Sequence, residues 1–255
     1  MPTPAEKTVR RMGSRFYVHP LTKDKVPSVT SIGGMLPKRN LMYARGKAVA
    51  DEAVNSIGTG GDLVTGGNPS GAVDFLKRAP DRKWGAAAQL GTDIHALVER
   101  TNRGEDVGPQ HPDHQAFLDQ YAKFLDAWQP EFLEVEATLW NHTLGYAGTC
   151  DGLCRLDGEI VVWDLKTGAS GVWPETALQM CGYANAEVIV DPDGTERPMP
   201  EIEGAVVLHL RPENFEVIPV RLGSDVFGVF RHLLGVLEWE TEISKTVLGK
   251  PVEAP

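Results

Sequence analysis

The chain is poor in cysteine. Cys150, Cys154 and Cys181 are the only three in 255 residues, an odd count that fits a reducing compartment. Long apolar runs are missing as well. None approaches the roughly 18 residues needed to span a bilayer. The polar N-terminus holds no apolar signal core, so a cytoplasmic protein is expected. Basic residues are scarce beside acidic ones, 25 Lys and Arg against 35 Asp and Glu, for a net charge of −10. Taken as an average, that balance argues against a phosphate-binding surface. What the chain does have is an ordinary apolar content of 42% and enough length to bury a sizeable core. A single domain over residues 1–255, with insertions and no internal repeat, is the default expectation.

The distribution of charge changes the first impression. Residues 1–50 hold ten Lys and Arg against Glu6 and Asp24, or +8, which leaves −18 for the remainder. Arg10, Arg11, Arg15, Lys23, Lys25, Lys38, Arg39, Arg45 and Lys47 form a candidate set for contacting nucleic acid. The first dozen residues read as a mobile basic tail. Lys38, Arg39, Arg45 and Lys47 fall in a helical-looking segment whose apolar positions are Leu41, Met42 and Ala44, and they are the preferred contacts. An acidic remainder limits indiscriminate binding.

The strongest local signal is Asp157-Gly158 between two apolar, β-branched runs, Thr149 to Leu156 and Glu159 to Lys166. Asp-Gly in that setting predicts a two-residue hairpin. Leu156 then pairs with Glu159, and the same register sets Asp151 opposite Asp164. Facing carboxylates repel, so a compensating charge is required, and a divalent cation is the simplest. Lys166 shares a face with Asp164. Two acidic oxygen ligands and one ammonium converging on a point suit Mg²⁺ or Mn²⁺. The competing reading, an ordinary Asp164–Lys166 ion pair, leaves the facing carboxylates unexplained.

Upstream, Asp81 to about Asn102 predicts a helix with Asp81 as N-cap and with His95 and Glu99 four apart on one face. Pro174 to about Ile189 predicts another, with Pro174 at N1 and with Gln179 and Tyr183 on one face. Taken alone, His95 would be a hydrogen-bonded structural residue, and Gln179 and Tyr183 ordinary helix residues. Glu134 and Glu136 read as a solvated face of a strand over 132–140.

Together these segments resemble the RecB-like branch of the PD-(D/E)XK nucleases, which includes phage exonucleases and Cas4-like nucleases. The matching motifs are Gly91-Thr-Asp-Ile-His95, Gly148-Thr-Cys-Asp151, Val162-Trp-Asp164-Leu-Lys166-Thr-Gly168 and Gln179-Met-Cys-Gly-Tyr183. Each is weak alone; four in the right order are specific. A fainter likeness lies in Val26-Pro-Ser-Val-Thr-Ser-Ile32. The resemblance implies an α/β fold with a central mixed sheet flanked by helices, in the core order helix, three strands, helix, strand. It implies metal ligation by His95, Asp151, Asp164 and the Leu165 carbonyl. Lys166 would hold the attacking water, and Gln179 and Tyr183 would position the substrate strand or orient Lys166. An acidic residue near Glu134 and Glu136 can assist the site in related nucleases, but the solvated strand face is the preferred reading. Cas4-like proteins with an iron–sulfur cluster use four cysteines, one upstream and three near the C-terminus. This chain departs from that pattern, so no cluster is expected.

The implied activity is metal-dependent DNA exonuclease action in replication, recombination or repair, leaving 5′-phosphate ends, with a helicase or single-strand-annealing protein as a possible partner. An endonuclease of the same fold and a catalytically silent DNA-binding subunit are the alternatives. Within the chain, residues 1–50 read as the basic segment, 81–190 as the motif-bearing core and 191–255 as C-terminal strands and helix. Further elements are expected as a loop over 57–70, helices over 71–79, 111–128 and 224–247, and strands over 146–156, 159–166, 204–210 and 215–221.

Overall fold

A computed structural model describes residues 8–58 and 69–252. The chain divides into two compact units, Pro37–Asp93 and a larger one made of Met1–Leu36 with Ile94–Pro255. Most of the loop expected over 57–70 lies outside the described residues.

The larger unit opens with a small antiparallel sheet of β1 (Thr8–Arg11), β2 (Ser14–Val18) and β3 (Lys25–Pro27). Residues 8–11 were expected to lie in a mobile tail; instead Val9 pairs with Phe16 and Arg10 with Arg15. Helix α1 (Val29–Gly33) follows, capped by Ser28 Oγ, which accepts the Ser31 N–H at 3.0 Å. The smaller unit is helical: α2 (Arg39–Gly58), α3 (Pro69–Lys77) and the first part of α4 (Ala79–Asn102). Asp81 lies in the first turn of α4 rather than at its N-cap, and still favours the helix by meeting the positive end of its dipole.

From Ile94 the chain returns to the larger unit. After α5 (Pro112–Trp128) come β4 (Glu131–Asn141), β5 (Tyr146–Leu156), β6 (Glu159–Lys166), α6 (Thr176–Ala184), β7 (Val188–Val190), β8 (Glu196–Pro198), β9 (Gly204–Leu210), β10 (Phe215–Pro219) and α7 (Ser224–Thr241). The main sheet has seven strands in the order β10-β9-β6-β5-β4-β7-β8. β6 and β9 are parallel and every other pair is antiparallel, so the fold is α/β with a mixed sheet. No described helix is long and apolar enough to cross a membrane.

Two expected helices are shorter than their patterns suggested. The one over 174–189 begins at Thr176 and ends at Ala184, where the Asn185 side chain donates to the Cys181 carbonyl at 2.9 Å. The β-branched run Val188–Val190 then pairs with β4 and β8, so sheet packing overrides the helical spacing. The last helix stops at Thr241, and Ile243–Thr246 form one 3-10 turn.

Helices α1, α6 and α7 pack together, and their side chains join those of the sheet in one core of Val29, Ile32, Leu139, Leu153, Tyr183 and Phe230. Close approach is required at Gly148 of β5, where a Cβ would stand 2.6 Å from the Tyr183 ring and 3.0 Å from Val29. Gly148→Ala is therefore expected to cost about 1–3 kcal/mol by overpacking. Urea unfolding checks this; an unchanged midpoint would contradict such close packing.

Candidate active site

Helix α4 beyond Ile94, strands β5 and β6, and helix α6 bring the candidate residues together. The β5–β6 hairpin turns at Asp157 and Gly158, whose φ values of 50° and 90° are the two left-handed positions of a type I′ turn. Its ladder runs in the expected register from Leu156–Glu159 to Gly152–Trp163 and ends there. The expected rung of Asp151 facing Asp164 is therefore not formed. The Asp151 carboxylate instead accepts the Leu165 N–H at 2.6 Å. Splaying at this point keeps two like charges off a shared rung.

The two carboxyls still act on each other. Asp164 is buried, 2% exposed, and its pKa is pushed up to about 6, by burial first and then by the Asp151 charge. Lys166 opposes both through an ion pair to Asp164 Oδ2. Asp151 is also raised by burial, and Glu99 adds to the shift while the Leu165 N–H and Lys166 oppose it. The site holds acidic groups whose charges are under-compensated by the protein.

Gln179 Nε2 donates to Asp164 Oδ1 at 3.0 Å and to the Tyr183 hydroxyl at 3.1 Å. Gln179 thus holds Asp164, where Lys166 was one of the expected partners. Tyr183 is 1% exposed, too deep to meet a substrate strand directly, and burial raises its phenol well above the ordinary range. Its reach to the site runs through Gln179.

His95 of α4 places Nδ1 3.6 Å from Asp151 Oδ2. Burial lowers its pKa, with Asp164 and the Leu165 backbone opposing and Lys166 assisting. The neutral form of an imidazole is the one that ligates a metal. His95, Asp151, Asp164 and Leu165 therefore lie together. Among the described residues, no group of three His, Cys, Asp or Glu stands arranged to hold an ion as it is. Lys166 occupies one Asp164 oxygen and the Leu165 N–H one Asp151 oxygen. In its chemistry the donor set of two carboxylates, an imidazole and a carbonyl fits a hard divalent cation, which would have to compete with Lys166.

Two further residues line the site, one set aside in the sequence reading and one missed by it. Glu136 was placed with Glu134 on a solvated face, but the strand leaves regular extended backbone at Glu136 itself. Glu134 pairs with Arg197 at 2.6 Å, whereas Glu136 lies at the missing rung opposite Asp151, with φ 55°. It lines a cavity of about 10 Å³ with His95, Glu99, Asp151 and Trp163. Trp163 is the second contributor. Its indole nitrogen would stand 2.2 Å from a Cβ at Gly152, and that mid-strand glycine was the available signal of close approach. Glu99 is held by Arg103 at 3.0 Å. His209 anchors the segment after β6 by bonding the Gly168 carbonyl through Nε2 at 2.9 Å.

The basic residues divide between the units. Lys38, Arg39, Arg45 and Lys47 lie exposed in the smaller one, with Lys47 paired to Asp51 at 2.7 Å and Arg45 to Asp81 at 3.4 Å. Leu41 and Met42, expected as apolar packing positions, are 46% and 67% exposed. In the larger unit Arg11 pairs with Glu242 at 3.0 Å, Arg15 lies over the Tyr17 ring, Arg10 bonds the Gly13 carbonyl and Lys23 the Pro20 carbonyl.

No protein-family model matches the chain, and no curated protein sequence matches it. Among solved structures it is similar to one titled "Crystal structure of SSO0001", at 12% identity and a TM-score of 0.27. That likeness covers 48% of this chain and only 57% of the other.

Proposed function

We propose that the larger unit carries a metal-dependent DNA nuclease site of the PD-(D/E)XK, RecB-like type, acting as an exonuclease in phage-type replication, recombination or repair. The observation that carries this reading is Asp164: a buried carboxyl held among Asp151, Lys166 and Gln179, with its pKa pushed up to about 6. At neutral pH a protein gains nothing in stability from burying such a group, and a cation-dependent reaction gives it a use.

His95, Asp151, Asp164 and the Leu165 carbonyl would hold Mg²⁺ or Mn²⁺. When bound, the ion would supply positive charge beside the phosphate and would ease deprotonation of water there. Lys166, with a third of its side chain exposed, reaches the surface. There it holds the attacking water and offsets charge growing on the phosphoryl oxygens. Gln179, backed by Tyr183, fixes the Asp164 carboxylate. Lys38, Arg39, Arg45 and Lys47 are proposed DNA contacts. Cys150, Cys154 and Cys181 are free, buried thiols and supply no set of four for an iron–sulfur cluster.

The test is cleavage of end-labelled linear DNA, single- and double-stranded, beside a closed circle, with Mg²⁺, Mn²⁺ or EDTA. Loss of the linear forms alone, dependent on metal, is expected. Cutting of the circle would replace the exonuclease with an endonuclease. Binding without cleavage under any metal would leave only a DNA-binding subunit.

A further inference from the structure

The outer edge of β4 is open over most of its length. Among the described residues, β7 pairs with it only at Leu139 and Trp140. From Phe132 to Thr138 the strand lines a cavity of about 520 Å³, together with β7, the turn at Asp191 to Asp193, and the end of α4. That volume lies in the range of small-molecule pockets. Asn102 and Glu136 line both this groove and the small cavity of the candidate active site. Phe132 of the groove lies beside Trp163 of that cavity, with ring centres 5.6 Å apart. The groove is therefore continuous with the proposed cleavage centre.

Two polar atoms of its lining are buried without a partner, the hydroxyl of Thr138, a residue 9% exposed, and the amide nitrogen of Asn102. The Asn102 oxygen accepts the Tyr121 hydroxyl, which fixes the orientation of the amide. Unmade bonds of buried groups cost stability, and a ligand that made them would be held by them. Charge narrows the choice of ligand. Glu134, Glu136, Asp191 and Asp193 line the groove against two guanidiniums. Both guanidiniums are committed. Arg103 bonds Glu99 at 3.0 Å and the Val135 carbonyl at 3.2 Å, and Arg197 bonds Asp191 at 3.1 Å as well as Glu134. Such a wall repels phosphate. It suits a flat, neutral group with hydrogen-bonding edges.

We infer that this groove takes the unpaired base of a strand's terminal nucleotide, while the phosphate of that nucleotide stays at the Asp151–Asp164 centre. The inference rests on the nuclease reading and deepens it, because it names a single-stranded or frayed DNA end as the substrate. A base taken out of a stack is held by apolar and aromatic walls and by bonds to its Watson–Crick edge. Phe132 and Leu133 supply the walls, and Thr138 and Asn102 the bonds. A base still in a pair has spent that edge on its complement. Every base offers an acceptor there, so one amide donor serves all four. Selectivity for an end follows from charge. A strand running on through the groove would carry further phosphates past Glu134, Asp191 and Asp193, and a strand that ends there carries none.

Saturation-transfer NMR in EDTA reads the groove without cleavage. The probes are the four deoxynucleoside monophosphates, with deoxyribose 5-phosphate as the control that lacks a base. Base protons should be saturated more strongly than sugar protons, and the control should bind at least about fivefold more weakly. Leu133 is 37% exposed, so Leu133→Trp can fill the groove from the surface, and it should abolish nucleotide binding. Thr138→Val keeps the shape and should weaken binding about fivefold, the loss of one hydrogen bond, without lowering the melting temperature. With Mn²⁺, linear single strands that end in an abasic residue should show a KM at least about fivefold above that of intact strands. Equal binding of the control, no nucleotide binding up to about 10 mM, or binding unchanged in Leu133→Trp overturns the groove. So does equal cleavage of abasic and intact ends, an outcome that leaves the nuclease standing. Nucleotide binding without cleavage of any DNA upholds the groove as a base site and overturns the nuclease reading.

Discussion

Lys166→Ala is expected to slow metal-dependent cleavage of linear DNA by about a hundredfold to a thousandfold, the range for removing one group that stabilises charge in a transition state. Lys166 is the cation paired with Asp164, and its side chain is one-third exposed, so its ammonium reaches from a buried carboxylate to the surface, where the proposed reaction would bring a phosphate. A residue that only balanced Asp164 would be replaceable by the bound metal itself, and saturating Mn²⁺ would rescue the variant. Single-turnover cleavage at saturating metal separates the two roles. Full rescue would reduce Lys166 to a counter-ion.

Asp164→Asn is expected to abolish cleavage and yet stabilise the metal-free protein at neutral pH. The folded-state pKa of Asp164 lies near 6, above its ordinary 3.8. The folded protein therefore keeps a proton that the unfolded chain releases near pH 4. This group favours folding below about pH 4, and that contribution is lost as pH rises through about 6. A shift of about two units corresponds to at most about 3 kcal/mol. Asparagine keeps the shape, keeps an oxygen for the Gln179 amide, and carries no charge to bury. Melting in EDTA at pH 7.5 should show the variant higher by about 2–4 °C for each kcal/mol gained, with the gap closing near pH 4. Mn²⁺ should stabilise the wild type and leave the variant unmoved. A variant less stable than wild type at neutral pH would mean that the Lys166 pair outweighs the burial of charge.

Much of the site could be read from local chemistry. Asp157-Gly158 fixes the β5–β6 register because its turn type admits few loop lengths, and the register carries Asp151, Asp164 and Lys166 with it. Helical spacing sets His95 with Glu99, and Gln179 with Tyr183, on common faces, but only the resemblance singled out His95, Gln179 and Tyr183 for the site. What escaped depends on departures from regularity. The left-handed backbone at Glu136 takes it off the face of Glu134, and alternation assumes regular strands. The missing Asp151–Asp164 rung reflects a repulsion whose direction was foreseen and whose structural consequence was not. The short strands β1, β2 and β7 lie below the length at which periodicity speaks, and β7 sits inside what reads as a helix. The boundary at Asp93 falls within the continuous helix α4, where no change in composition marks it.

A cation completing the Asp151–Asp164 pair is the central requirement of the proposed nuclease site. Calorimetric titration of Mn²⁺ into the protein, at pH 7.5 and again at pH 5, measures this most directly. It should show binding at pH 7.5, weaker binding at pH 5 where Asp164 holds its proton, and none in Asp151→Asn. Absence of binding by the wild type at pH 7.5, or equal binding by Asp151→Asn, would contradict the account.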